Sequence, residues 1–138
     1  MEQNFNSLSD SLFSELKDGE NLILSFSGEN SQFVRFNNAS VRQTGIVDDG
    51  DLGLKFISNG RTCHGGFTVS GDPNIDQDRG KAEIVRMRAE AKQIPEDPFL
   101  VLPENSGSSH EIKTASGLAF EDAVDALVPA MSGVDFVG

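Results

Sequence analysis

From Glu20 the apolar spacing changes to a period of two, and turn-forming residues interrupt the stretch from Glu20 to Val69 four times. Leu22, Leu24 and Phe26 alternate with Ile23, Ser25 and Ser27, the spacing of side chains that share one face of a strand. Gly28-Glu29-Asn30 then reads as a turn, and Gln32-Phe33-Val34-Arg35-Phe36 as a second run of strand formers. Asn37-Asn38 supplies the next reversal, because Asn tolerates left-handed backbone geometry. Val41 to Val47, a turn at Asp48-Asp49-Gly50, and Leu52 to Ile57 follow. Asn59-Gly60 is the strongest hairpin signal, since both central residues of a type I′ turn need positive φ. Arg61 to Val69 closes the series. Short strands joined by tight turns pair antiparallel, so the expectation is an antiparallel five-stranded meander. Gly45, Gly53, Gly65 and Gly66 fall inside strands and predict bulges or the close approach of another backbone.

Helical periodicity flanks this region. Phe5, Leu8, Leu12, Phe13 and Leu16 lie on one face at 3.6-residue spacing, with Asn4 or Ser7 as cap and Lys17 and Gly19 at the end. Asp72-Pro73 starts a long second helix, Asp as cap and Pro in the first turn. Its expected apolar side is Ile75, Ala82, Val85, Ala89 and Ala91; Asp76, Asp78, Arg79, Lys81, Glu83, Arg86, Arg88 and Glu90 are read as a solvated face. Pro95, Pro98 and Pro103 break any further periodicity. The fold class is therefore α+β, with the N-terminal helix and the long following helix packed on the meander and a C-terminal helix beyond. Residues 1–94 form the core and 95–117 a loop or linker. Residues 118–138 give a helix (Phe120, Val124, Leu127, Met131) and the start of a following strand at Gly133 to Gly138. A strand without a partner predicts a chain that continues.

Composition narrows the partners. The 138 residues suit one core. Eleven basic against 22 acidic residues give a net charge of −11, which disfavours nucleic acid and anionic membrane surfaces alike. No apolar run approaches the ~18 residues of a spanning helix, and Met1-Glu2-Gln3-Asn4 has no signal-peptide character. One cysteine allows no intrachain disulfide, so a reducing, cytoplasmic location is expected.

Self-contained chemistry is not legible. His110-Glu111 begins a zinc-helix pattern, but Thr114 stands where the second His belongs. Cys63 and His64 are strand neighbours and point to opposite faces. Asn74, Asp76 and Asp78 have calcium-loop spacing, yet Arg79 replaces the Gly and Val85 the Glu. No serine lies in a nucleophile elbow, and Gly65-Gly66 lacks the residues of a phosphate loop. No catalytic residue, metal ligand or cofactor site is assigned.

Arg35 and Arg42 flank the Asn37-Asn38 turn symmetrically, with Gln43 beside them. Two readings stand: surface charges paired with nearby acids, worth ~0–1 kcal/mol each, or a polar patch that receives a peptide carbonyl or carboxylate. On the second reading the binding residues are Arg35, Asn37, Asn38, Arg42 and Gln43.

The stretch Phe33-Val34-Arg35-Phe36-Asn37-Asn38-Ala39-Ser40-Val41-Arg42-Gln43-Thr44-Gly45 resembles the N-terminal domain of the TldD/PmbA (TldE) family, metallopeptidase-related proteins formerly labelled modulators of DNA gyrase. Leu52-Gly53-Leu54-Lys55 with Asn59-Gly60-Arg61, Glu96-Asp97-Pro98 and Leu102-Pro103-Glu104 extend the similarity over most of 20–105. The sequence departs from the family at Cys63-His64-Gly65-Gly66. The resemblance implies a mixed α/β N-terminal domain joined to a larger β-rich domain. It also implies a homo- or heterodimer with a TldD/PmbA-like subunit, and an extended peptide substrate bound by strand addition. Zinc is implied only for catalytic members, whose ligands lie beyond the matched region, so none is carried over. The expected function is that of a non-catalytic N-terminal domain shaping peptide binding or dimer contact for proteolytic peptide processing. The alternative is a standalone peptide- or protein-interaction module without hydrolytic activity.

Overall fold

Two two-residue turns set the sheet. Asn38 and Ala39 have φ of 51° and 53°, and Asn59 and Gly60 have φ of 50° and 70°. Positive φ at both central residues gives the twist that lets flanking strands stay paired. The computed structural model describes residues 2–103, 107–114, 122–130 and 133–137. Its elements are α1 (Glu2–Phe13), β1 (Glu20–Asn37), β2 (Ser40–Ser58), β3 (Arg61–Thr68), α2 (Pro73–Glu90) and α3 (Ala123–Ala130). The strands form one sheet in the order β1-β2-β3.

The expected five-stranded meander is thus corrected to three strands, two of them long. The predicted turns at Gly28-Glu29-Asn30 and Asp48-Asp49-Gly50 are extended backbone inside β1 and β2. Gly50 shows the reason. It is buried within β2, and a Cβ there would lie 2.7 Å from the Phe26 ring. This glycine makes room for an aromatic ring on β1 and does not reverse the chain. Gly45 does the same for Phe33, whose ring would be 2.5 Å from an added Cβ. Only Gly66 matches the expected approach of backbone, with Leu52 O at 2.8 Å from such a carbon.

The chain divides into two compact units, residues 1–29 with 49–102, and residues 30–48 with 103–138. The divisions fall where the turn signals at 28–30 and 48–50 stand.

The first unit holds the main core. Leu52, Leu54 and Phe56 of β2 face inward and pair with Phe67, Gly65 and Cys63 of β3. Leu22 of β1, Leu8 and Leu12 of α1, and Ile84, Met87 and Ala91 complete it. The predicted face of α1 is the one that packs, with Phe5 and Leu16 at its margin; Phe13 is exposed. Each fully buried Leu, Ile, Phe or Met contributes ~1.5–3 kcal/mol.

Asp72 caps α2 as predicted, its Oδ1 accepting from Asn74 N at 2.9 Å and Ile75 N at 3.3 Å. The face of α2 is corrected. Asp76, Gly80, Ile84 and Met87 are buried, whereas Ile75, Ala82, Val85 and Ala89 are exposed. Ile84 and Met87 bury more apolar surface than two alanines would, and Gly80 admits the Leu12 side chain of α1. The buried acid is satisfied: Asp76 accepts from Ser70 N (2.7 Å), Ser70 Oγ (2.9 Å) and Gly71 N (3.1 Å). After α2 the chain turns back to the β2–β3 hairpin, where Asp97 N donates to Gly60 O at 2.8 Å.

The second unit contains the distal hairpin, residues 30–48, and α3, whose Leu127 and Val128 are exposed. The predicted positions Phe120 and Met131 lie outside the described residues. Residues 95–103 and 107–114 carry neither helix nor strand. Residues 133–137 do not form the expected strand; they make a turn at Gly133 and an irregular segment. No helix described here is long and apolar enough to cross a membrane.

Candidate functional site

Residues 30–47 contain two arginines and no carboxylate, in a chain with twice as many acids as bases. The β1–β2 hairpin folds this stretch on itself and brings the two arginines to one place. Arg35, Phe36, Asn37, Arg42, Gln43 and Val137 line a half-open cleft of about 290 Å³ within the second unit. Arg35 Nη1 donates to Gln43 Oε1 at 3.2 Å across the hairpin. The Arg35 guanidinium also lies 5.2 Å from the centre of the Phe33 ring, a cation–π distance. Phe36 is buried, its ring 5.9 Å from that of Phe136 in an edge-on arrangement.

Four of the five residues predicted for binding, Arg35, Asn37, Arg42 and Gln43, therefore share one cleft. Asn38 occupies the turn and does not line it. Sequence reasoning missed Phe36 and Val137. Phe36 stood in the quoted strand but was read only as a strand former. Val137 carried no signal beyond an alternating tail.

The basic residues fall into two groups, and Arg35 and Arg42 share with Lys17, Lys55, Arg79 and Lys92 the lack of an ion pair among the described residues. Arg61, Lys81, Arg86, Arg88 and Lys113 each have a carboxylate within 3.4 Å or less. Among the described residues, Arg35 and Arg42 form no ion pair. Their N–H groups are donors without a carboxylate, in a setting suited to an incoming carbonyl or carboxylate oxygen.

The most developed charge cluster of the first unit is structural. Arg88 donates from Nε to Glu20 Oε1 at 2.6 Å and from Nη2 to Glu20 Oε2 at 2.7 Å. Arg88 Nη2 also reaches Glu15 O at 3.0 Å, and Lys17 N donates to Glu20 Oε2 at 2.9 Å. The hydrogen bond from Arg88 holds the Glu20 carboxyl below its ordinary range, against the opposing effect of burial. This clamp ties the α1–β1 connection to α2.

The remaining candidates do not assemble. Cys63 is buried, and burial pushes its thiol up; His64 is exposed on the other face of β3. His110 and Glu111 sit in an exposed irregular segment. Among the described residues no group of three or more His, Cys, Asp or Glu side chains is placed to hold a metal ion. The zinc implied by the resemblance has no fitting donor set in them, and no step is derived through it.

The chain matches no protein-family model. No curated protein matches it. Among solved structures, it is similar to a candidate modulator of a DNA gyrase from Thermotoga maritima, with a TM-score of 0.54 and 20% identity. The match covers 88% of this chain and 27% of that one. This is a likeness of fold, and the chain spans about a quarter of the length of that protein.

Proposed function

We propose that this chain is the non-catalytic N-terminal domain of a TldD/PmbA-type, metallopeptidase-related protein, and that its hairpin tip holds an extended peptide or shapes a dimer contact. The observation that carries this reading is the cleft that gathers Arg35 and Arg42 on one hairpin, with no acid among its described lining residues. Two further facts support it. The gyrase-modulator likeness spans 88% of this chain and agrees with the older label of the family that residues 33–45 resemble. β1 is also an edge strand of the sheet, and an edge offers backbone donors and acceptors to an added strand.

In this reading the backbone supplies sequence-tolerant affinity, and Arg35, Arg42, Asn37 and Gln43 anchor carbonyl or carboxylate oxygens. Bond cleavage belongs to zinc ligands in a further domain or a partner subunit, not to these residues.

The test is fluorescence anisotropy with a labelled, unstructured peptide of alternating valine and glutamate. Arg35→Ala with Arg42→Ala is expected to weaken binding by about tenfold or more, the cost of losing one to two charge-assisted contacts, with unchanged circular dichroism. Equal affinity of the double variant and the parent chain would overturn the reading.

A further inference from the structure

The tip of the hairpin carries a contact that sheet formation does not require. Ala39 N donates to Phe136 O at 3.2 Å. The Phe136 ring meets Phe36 edge-on at 5.9 Å, and Val137 lines the cleft beside Arg35 and Arg42. Three neighbouring groups of one irregular segment thus engage the tip by three means: a backbone hydrogen bond, an aromatic pair and an apolar wall. These are the elements by which a receptor reads an extended ligand, main chain for affinity and side-chain pockets for selection.

The burial is one-sided. Phe36 keeps 5% of its surface exposed, whereas Phe136 keeps 39% and Val137 71%. With the segment in place the tip ring is buried, while the segment itself stays largely in solvent. Ala39 stands at φ of 53°, the geometry the two-residue turn requires. It turns an N–H toward Phe136 O. The cleft continues past Val137 to two guanidinium groups with no carboxylate partner among the described residues.

We infer that the hairpin tip is a receptor for an extended segment bearing an aromatic residue followed by a branched aliphatic one, and that Asp135-Phe136-Val137 is its occupant in cis. The inference rests on the reading of this tip as a binding site and adds ligand class and regulation. A tethered segment competes at a high effective concentration, so an outside peptide meets a site that is free only part of the time, and its apparent affinity falls by that fraction.

The experiment uses the full chain and a labelled peptide Gly-Val-Asp-Phe-Val with both ends capped. Phe136→Ala is expected to raise the affinity of the chain for this peptide by about tenfold or more. Replacing the peptide's phenylalanine with alanine is expected to abolish the gain. Amide exchange gives a direct second readout: the Ala39 N–H is protected in the parent chain, exposed in F136A, and protected again when peptide is added. Equal peptide affinity of parent and F136A chains, or an Ala39 amide indifferent to both changes, overturns the inference. If F136A changes nothing while R35A with R42A still weakens the valine–glutamate peptide, the receptor inference fails and the proposed function survives. If F136A gains affinity that R35A with R42A leaves intact, the tip receptor stands and the arginine anchor falls.

Discussion

The Glu20–Arg88 clamp makes a prediction about stability whose size and pH dependence both follow from the geometry. The Glu20 side chain is 7% exposed and that of Arg88 21%, so water screens the pair little. Arg88→Met keeps most of the apolar stem but removes two charge-assisted hydrogen bonds, at 2.6 and 2.7 Å, and the donor to Glu15 O. Glu20 would then keep only the Lys17 amide. Breaking such a mostly buried pair from one side costs ~2–4 kcal/mol, because the remaining carboxylate is left poorly paired. With a urea slope of ~2 kcal/mol/M, the unfolding midpoint should fall by about 1–2 M at pH 7. Glu20→Gln should cost less than Arg88→Met, since the amide keeps one acceptor for Arg88 and the charge left behind is on the more exposed partner.

The pH dependence has a definite sign. Arg88 holds the folded-state carboxyl of Glu20 below its unfolded value. The contribution is therefore complete above the ordinary glutamate range and is lost as pH falls through the folded value. Urea melts of the parent and R88M chains between pH 7 and pH 3 should converge toward the acid end. A gap below ~0.5 kcal/mol at pH 7, or one that stays constant down to pH 3, would refute the assignment of this pair as a buried clamp.

Two further changes test the packing of the first unit. Gly66→Ala would set a Cβ 2.8 Å from Leu52 O and 3.5 Å from the Cα of its register partner Gly53; a loss of ~1–3 kcal/mol is expected by thermal denaturation, against almost none for Gly107→Ala, which meets nothing within 4 Å. Asp76→Ala removes the acceptor for Ser70 N, Ser70 Oγ and Gly71 N and should cost ~1–3 kcal/mol in a urea melt, with Asp76→Asn falling between.

What the sequence revealed and what it withheld divide along physical lines. The α1 face, the Asp72 cap, the Asn59-Gly60 turn and the Leu52, Leu54, Phe56 alternation were all legible. Each is decided by interactions within a few residues or by one period. The number of strands was not, because Gly50 has two local meanings: a turn residue, or a gap for a ring. The choice depends on Phe26 from another strand. The buried face of α2 was withheld for the same reason. It carries two apolar stripes, and Leu12 of α1 entering at Gly80 selects between them. At the candidate site, Arg35 and Gln43 were legible together because a tight turn places them across from one another. Phe136 was not, since nothing in its neighbourhood encodes a contact with Ala39 or Phe36.

The arginines of this acidic chain differ in the partners that the fold gives them. Three arginines of the first unit have carboxylate partners, Glu20 with Arg88, Glu96 with Arg61, and Glu83 and Glu90 with Arg86, whereas Arg79 donates to the Thr68 carbonyl at 3.3 Å. With 22 acids for 11 bases, supplying such a partner is easy. The stretch 30–47 supplies none to Arg35 and Arg42, although placing a single acid opposite either would lower their mutual repulsion at no cost to the hairpin. Such charges gain most from a group that arrives from outside these strands.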